Sequence, residues 1–282
     1  MSKPRILVTG GTGKTGARLV RRLRELDWPV RLASRSGQAP DGVEAARFDW
    51  LRPEGHAAVL EGVERVYLVA PEGVPDPAAP MKTFIERALG AGMRRFVLLS
   101  SSAVPEGGPF MGGLHRFLHE RAPEWTVLRP SWFMQNFSEG PSRDDVRDED
   151  ALYSAAGEGR VPFIDAGDIA EVGLRALIDP TAHNTEHVIT GPRTLSYAEV
   201  ADILGAARGR AVRHVSLSEA QYTAYWVRHG LPPDYAALLS ASDVAISQGS
   251  EDRTTDAVER VTGRPPRDLV DFAREHAAAW RA

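Results

Sequence analysis

The chain has 282 residues, 43% of them hydrophobic and 26% charged, which is the balance of a globular protein with enough apolar material for a substantial core. A formal net charge of −4 supplies no bulk positive field for nucleic acid or for an anionic membrane surface, so neither is expected as a partner. Without cysteine, neither a disulfide framework nor a thiolate metal site can form.

The opening stretch "MSKPRILVTGG" enters an apolar strand with no long apolar leader, and no later run reaches membrane-spanning length, so a cytoplasmic location is expected. Through the first half, short β-rich runs alternate with helical patterns, which predicts parallel strands joined by crossover helices. The strands are expected at "RILVT" (5–9), "PVRLAS" (29–34), "EAARFD" (44–49), "RVYLVA" (65–70), "RFVLLS" (95–100) and "WTVLR" (125–129). Between the first two, Leu19, Val20, Leu23 and Leu26 recur at helical spacing, with Arg18, Arg21, Arg22 and Arg24 on a solvated face.

Beyond residue 131 the rhythm loosens. "SWFMQNFSEG" and "PSRDDVRDEDALYSAAGEGR" read as loop, the second acidic and expected to be mobile. An amphipathic helix is expected at 168–179, a strand at "EHVITGP", and a helix at "SYAEVADILGAARG" opened by Ser196 with Glu199 at capping-box spacing. A strand at "AVRHVSLS" follows, then helical segments through 218–281. The expected fold is α/β: a Rossmann-type doubly wound parallel sheet over 1–131, with a smaller, mostly helical C-terminal substrate lobe over 132–282 that sends elements back to the core.

Gly13-Lys14-Thr15 suggests a nucleotide P-loop, but that motif needs a glycine five residues earlier, where Val8 stands. Read as Gly11-Thr12-Gly13-Lys14-Thr15-Gly16, preceded by Gly10, the stretch satisfies G-x-G-x-x-G directly after a predicted strand and before a helix. Small residues there let backbone N–H groups and the positive helix end approach a pyrophosphate. The bland alternative is an ordinary tight strand-to-helix turn; the placement favours a dinucleotide, with Lys14 as a nearby cation.

NAD sites usually place an acidic residue at the end of the second strand for the ribose 2′-hydroxyl, whereas this chain has "LASRS", with Ser34 and then Arg35. A guanidinium suits a 2′-phosphate, so NADP is the expected cofactor; otherwise Arg35 is an exposed loop arginine. By their positions at strand ends, Asp49-Trp50 are candidates to flank the adenine and Ala70-Pro71 to back the ribose or nicotinamide.

Several segments resemble the NmrA-like, atypical branch of the short-chain dehydrogenase/reductases: "VTGGTGKTG" (8–16), "ASRS" (33–36), "RRFVLLSS" (94–101), "WTVLRPSWFMQNF" (125–137), "FIDAGDIAEV" (163–172) and "ITGPRTLSYAEVADIL" (189–204). Within that branch the chain is most similar to bacterial relatives of the ergot-alkaloid reductases and NAD(P)H:quinone reductases. The resemblance implies NADP(H), a substrate held between the Rossmann domain and the C-terminal lobe, and a serine at the end of the fifth strand, where Ser100, Ser101 and Ser102 stand.

The main branch uses Y-x-x-x-K after the fifth strand. Here lysine occurs only at Lys3, Lys14 and Lys82, and no tyrosine lies between Tyr67 and Tyr153, so that pair is absent. Met111 and His115 fall at its spacing, which makes His115 a candidate proton donor, against the alternative of a packed helix histidine. His115 and His119 stand four residues apart, but Arg116 replaces the glutamate of the H-E-x-x-H motif, so no metal is expected.

Trp132, Phe133 and Met134 are candidate pocket walls, Gln135 and Asn136 polar contacts, and Tyr222, Tyr225 and Trp226 an aromatic lid; aromatic clusters are more often core than pocket. The expected activity is NADP(H)-dependent reduction of an electron-poor double bond, a quinone, enone or iminium, in an apolar or aromatic small molecule. An NADP(H) sensor without turnover and a non-redox tailoring enzyme are the alternatives. A homodimer is compatible with the sequence.

Overall fold

The structure, a computed structural model, describes residues 3–71, 73–74 and 76–281. In chain order its elements are β1 (Ile6–Thr9), α1 (Lys14–Glu25), β2 (Val30–Ser34), β3 (Glu44–Arg47), α2 (His56–Leu60), β4 (Arg65–Leu68), α3 (Ala78–Gly90), β5 (Arg95–Leu99), α4 (Met111–Arg121) and β6 (Glu124–Pro130). Next come α5 (Pro141–Asp148), β7 (Ala151–Ser154), β8 (Arg160–Val161), α6 (Ala166–Ile178), β9 (Thr185–Ile189), β10 (Leu195–Ser196), α7 (Tyr197–Arg208) and β11 (Arg213–Ser216). The helices α8 (Glu219–Arg228), α9 (Pro233–Ser247), α10 (Ala257–Thr262) and α11 (Leu269–His276) complete the chain.

These elements form two compact units. The first takes in the described residues up to Pro130 and then Ala166–Val188; the second takes in Ser131–Asp165 and the described residues from Ile189 onward.

The first unit is built on a seven-stranded sheet of order β3-β2-β1-β4-β5-β6-β9, with every pair from β3 to β6 parallel. The jump from β1 to β4 reverses the strand order and makes the topological switch point of a doubly wound sheet. Because side chains alternate along a strand, Leu7, Ala33, Val66, Leu68, Phe96, Leu98, Trp125 and Val127 share one buried face with side chains of α2, α3 and α4. On the other face Gly173 brings α6 close: a β-carbon there would lie 3.2 Å from Tyr67 and 3.3 Å from Leu128. Arg95 fixes the C-terminal end of α6 by donating to the carbonyls of Leu177 at 3.0 Å and Asp179 at 2.6 Å.

In the second unit a core of Met134, Phe137, Val146, Leu152, Phe163, Tyr197, Leu204, Phe272 and Trp280 packs among α5, α7 and α11. Two small sheets, β7 with β11 and β8 with β10, border it. Ser196 and Glu199 form the expected capping box at the start of α7. The segment expected as a mobile acidic loop is instead α5 followed by β7 and β8. Pro141, which reads as a breaker, occupies the first turn of α5, where a missing N–H costs nothing.

Candidate cofactor-binding and active site

The glycine-rich turn is anchored by Thr9, whose buried hydroxyl donates to the Tyr67 carbonyl at 3.0 Å and accepts from the Val69 amide at 2.8 Å. This ties the end of β1 to the end of β4. Gly10 follows at φ +62, with Val69 against the place of a β-carbon. A β-carbon on Gly11 would come within 2.5 Å of the Leu32 side chain, and one on Gly16 within 2.3 Å of the Gly10 carbonyl oxygen. At these three positions the chain itself needs the room.

Gly13 differs. It is exposed, it is the N-cap of α1, and a β-carbon there would meet only the Gly10 oxygen, at 3.3 Å. No side chain caps the helix. A helix end that presents its first-turn N–H groups beside an open glycine fits a pyrophosphate. Thr12 is exposed beside it, Lys14 half-buried and Thr15 buried.

At the end of β2, Ser34 starts a turn closed by the Gly37 amide donating to the Ser34 carbonyl at 3.2 Å, with the Ser34 and Ser36 hydroxyls 3.2 Å apart. Arg35 projects from this turn, exposed, and makes no ion pair with another described residue. Asp49 accepts from the Leu51 amide at 2.9 Å and keeps a partly exposed carboxylate. Its neighbour Trp50 is committed to the core: its indole N–H donates to the Val69 carbonyl at 3.1 Å, and its ring packs edge-on against Phe48 and Phe84. Ala70 and Pro71, both half-buried, follow β4.

After β5 the Ser100 hydroxyl is buried without a hydrogen-bond partner among the described residues, and Ser101 accepts from the Ala103 amide at 3.3 Å. An unpaired buried hydroxyl at a strand's carboxyl end leaves a donor for a ligand. Its backbone neighbours are held by a pair that the sequence reading did not single out, Arg129 and Glu186. The available signal was an arginine inside the apolar strand "WTVLRP", because a buried guanidinium requires acceptors.

His115, expected as a proton donor, is 1% exposed, and neither ring nitrogen has a hydrogen bond. Nδ1 lies 3.6 Å from a Glu186 oxygen, and the ring tilts against Trp125. Burial lowers its pKa below the ordinary 6.5, with Glu186 opposing, so the neutral imidazole dominates at neutral pH. Those surroundings suit packing and positioning better than proton donation. His119 instead pairs with Glu106 at 3.0 Å, and no metal-binding group of His, Asp and Glu occurs among the described residues.

The candidate substrate residues of the second unit fall into two groups. Met134 is buried and Trp132 packs against the same core; Phe133 bridges to Ile164, Gln135 donates to Asp165 at 3.1 Å, and Asn136 is half-buried. Tyr222, Tyr225 and Trp226 belong to a separate cluster with Tyr153 and Ala155. There the Tyr225 hydroxyl donates to the buried Asp145 carboxylate at 2.5 Å, and burial raises the pKa of Asp145.

A parallel sheet with its switch point at a glycine turn that fits a pyrophosphate has the architecture of a dinucleotide-binding domain. The model of a family described as NAD(P)H-binding matches residues 10–180. An oxidoreductase of Bacillus subtilis, YesF, is 48% identical over 280 residues, covering 99% of this chain and 98% of the relative. The agroclavine dehydrogenase of Claviceps fusiformis is 43% identical over 286 residues, covering 98% of each. An NADPH-dependent quinone oxidoreductase of Escherichia coli, solved with NADPH, shares the fold with a TM-score of 0.82 at 22% identity, over 96% of this chain and 99% of that one. The chain belongs to this family of NAD(P)H-binding oxidoreductases.

Proposed function

We propose that the protein is an NADPH-dependent reductase of an electron-poor double bond, in a quinone, enone or iminium, within a largely apolar small molecule in the cytoplasm. The observation that carries this reading is the site after β5: an unpaired buried Ser100 hydroxyl, no tyrosine or lysine in the expected acid positions, and an inward, neutral His115. Such a site stabilises developing negative charge by a hydrogen bond and supplies no strong acid, which suits acceptors already polarised for attack. The similarity to the agroclavine dehydrogenase of Claviceps fusiformis supports a small-molecule redox substrate.

The reduced nicotinamide, when bound, supplies the hydride. The glycine turn and the start of α1 bind the pyrophosphate, Thr12, Lys14 and Thr15 line it, and Arg35 with Ser34 reads the 2′-phosphate. Asp49 stands at the adenine end, with Trp50 as the packed wall beneath it. Ala70 and Pro71 back the nicotinamide side, and Ser100 and Ser101 orient the reacting end. Trp132, Phe133 and Met134, with Gln135 and Asn136, wall the substrate; Tyr222 and Tyr225, expected as a lid with Trp226, are instead buried in their own cluster, with Trp226 packed against them. Water supplies the proton that a quinone or enone needs after hydride transfer, whereas an iminium needs none.

The test is NADPH oxidation against a panel of quinones, enones and imines, with deuterium traced from C4-labelled NADPH into the product. Label transfer to one of these acceptors is the expected result. Tight NADPH binding with no transfer to any of them would leave the sensing and non-redox alternatives in its place.

A further inference from the structure

We propose that Arg47, at the end of β3, is a second cation for the 2′-phosphate of NADPH, so that the phosphate is held between two guanidiniums, Arg35 and Arg47. The inference rests on the NADPH reading and extends it to a residue on a different strand.

The register carries the argument. Arg47 is the strand partner of Ser34, and Ala46 is the partner of Ala33. Ala33 lies in the core shared with α2 to α4, and Ala46 packs against that core. Side chains alternate along a strand and agree in direction across a parallel pair, so Ser34 and Arg47 point to the opposite face. Leu32 points there too, and its side chain is the floor on which Gly11 rests. Arg47 therefore stands on the glycine-turn side of the sheet, at the strand ends where a dinucleotide lies.

The turn that carries Arg35 sits directly on Arg47. A β-carbon on Gly37, which is at φ +67, would be 3.2 Å from the Arg47 Cβ and 3.5 Å from its Cα. Arg47 is exposed and makes no ion pair with another described residue. By contrast Arg31, earlier on the neighbouring strand and on the opposite face, is consumed by Glu44 at 2.6 Å and by carbonyls of Val59 and Glu61. The carboxylate nearest along the chain from Arg47, Asp49, is engaged by the Leu51 amide and approached by Arg52.

Two guanidiniums offer a phosphate dianion more than one charge-assisted hydrogen bond each, and their mutual repulsion is relieved when it binds. NADH brings a neutral hydroxyl to the same place and relieves nothing. Arg47 thus acts on cofactor choice by attraction to the phosphate of NADPH alone, because the repulsion is the same before and after NADH binds and leaves its affinity unchanged.

The experiment measures dissociation constants of NADPH, NADH, 2′,5′-ADP and 5′-AMP for the wild type, Arg35→Ala, Arg47→Gln and Arg47→Lys, with the melting temperature of each protein. Arg47→Gln keeps the stem that packs on Gly37 and removes the charge. It should weaken NADPH and 2′,5′-ADP by about tenfold to a hundredfold, with NADH and 5′-AMP changed less than about twofold, and Arg47→Lys should recover part of the loss. If the wild type shows no preference for NADPH, the NADPH reading itself fails and the clamp with it. If the preference is present and Arg35→Ala reduces it while Arg47→Gln does not, only the clamp fails. Equal losses for both cofactors in Arg47→Gln would place Arg47 in the support of the turn and also overturn the clamp.

Discussion

The Arg129 guanidinium grips the Glu186 carboxylate through two hydrogen bonds, 2.8 and 2.9 Å, and spends its other nitrogens on the carbonyls of Ser101 and Ser102. One charged pair thereby fixes the backbone just past the unpaired Ser100 hydroxyl. Glu186→Gln removes the charge that compensates a guanidinium whose side chain is only 11% exposed. The expected loss is about 1 to 2 kcal/mol of stability, discounted for the partial exposure of Glu186, together with a drop in turnover as Ser100 loosens. Chemical denaturation and steady-state kinetics check both, and unchanged turnover in a folded variant would separate the pair from the site.

Gly13 and Gly16 answer different needs. Gly13 is at φ −82, ψ 179, extended backbone that valine adopts readily, so Gly13→Val should melt within a few degrees of the wild type without nucleotide. NADPH binding should nonetheless weaken by roughly a hundredfold or more, because the added methyls fill the pyrophosphate position. Gly16→Ala drives a β-carbon into the Gly10 carbonyl and should cost about 3 kcal/mol or more of stability before any ligand is added. Calorimetry with and without NADPH distinguishes the two. Normal NADPH affinity in Gly13→Val would make the turn structural only.

His115→Gln tests whether the buried imidazole transfers protons. Its pKa is depressed in the folded chain, so the unfolded chain binds more protons below the ordinary 6.5, and stability falls as pH drops through that range towards the folded value. The variant should lack that share of acid sensitivity and keep the wild-type pH dependence of kcat. Loss of an ionisation near neutrality from the kcat/KM profile would instead identify His115 as the acid.

Asp243 makes the opposite prediction in the second unit. It is 1% exposed, accepts from the Ala155 amide at 3.0 Å, and is pushed up to about 7 by burial. The folded chain therefore holds a proton that the unfolded chain releases near pH 4. Stability is fully present below that point and declines as pH rises through about 7, by an amount of order a few kcal/mol. Asp243→Asn keeps an acceptor for Ala155 and should flatten the decline between pH 4 and 8. A wild-type profile without such a decline would sink the assignment.

Much of the first unit was legible because its central strands, such as β1 and β5, are short apolar runs and its turn carries three glycines that the chain's own packing requires. Strand ends shifted by a residue or two, as expected where ladders fray. Other features depend on tertiary placement. Pro141 marks either a break or a helix start, and only its position in the first turn decides between them. Trp50 stands at a strand end like a binding residue, yet the Val69 carbonyl and the rings of Phe48 and Phe84 claim it for the core. Nothing in the sequence around Arg47 distinguishes it from a surface arginine, and only the register with Ser34 fixes its face. His115 matched a catalytic spacing, whereas its burial is set by Trp125 on β6 and Glu186 on β9.

The first unit is discontinuous in the chain, and this bears on its synthesis. Arg22 of α1 pairs with Glu171 of α6 at 3.0 Å, and Arg95 of β5 waits for the carbonyls of Leu177 and Asp179. A nascent chain that has emerged only to Pro130 owns the whole glycine turn and α1, but not α6, which packs beside α1 on one side of its sheet. Until residue 188 has left the ribosome, Tyr67 and Leu128 lack the cover that Gly173 brings close. The nucleotide-binding unit is thus completed late in translation, and its exposed sheet face is the segment that a chaperone has reason to hold.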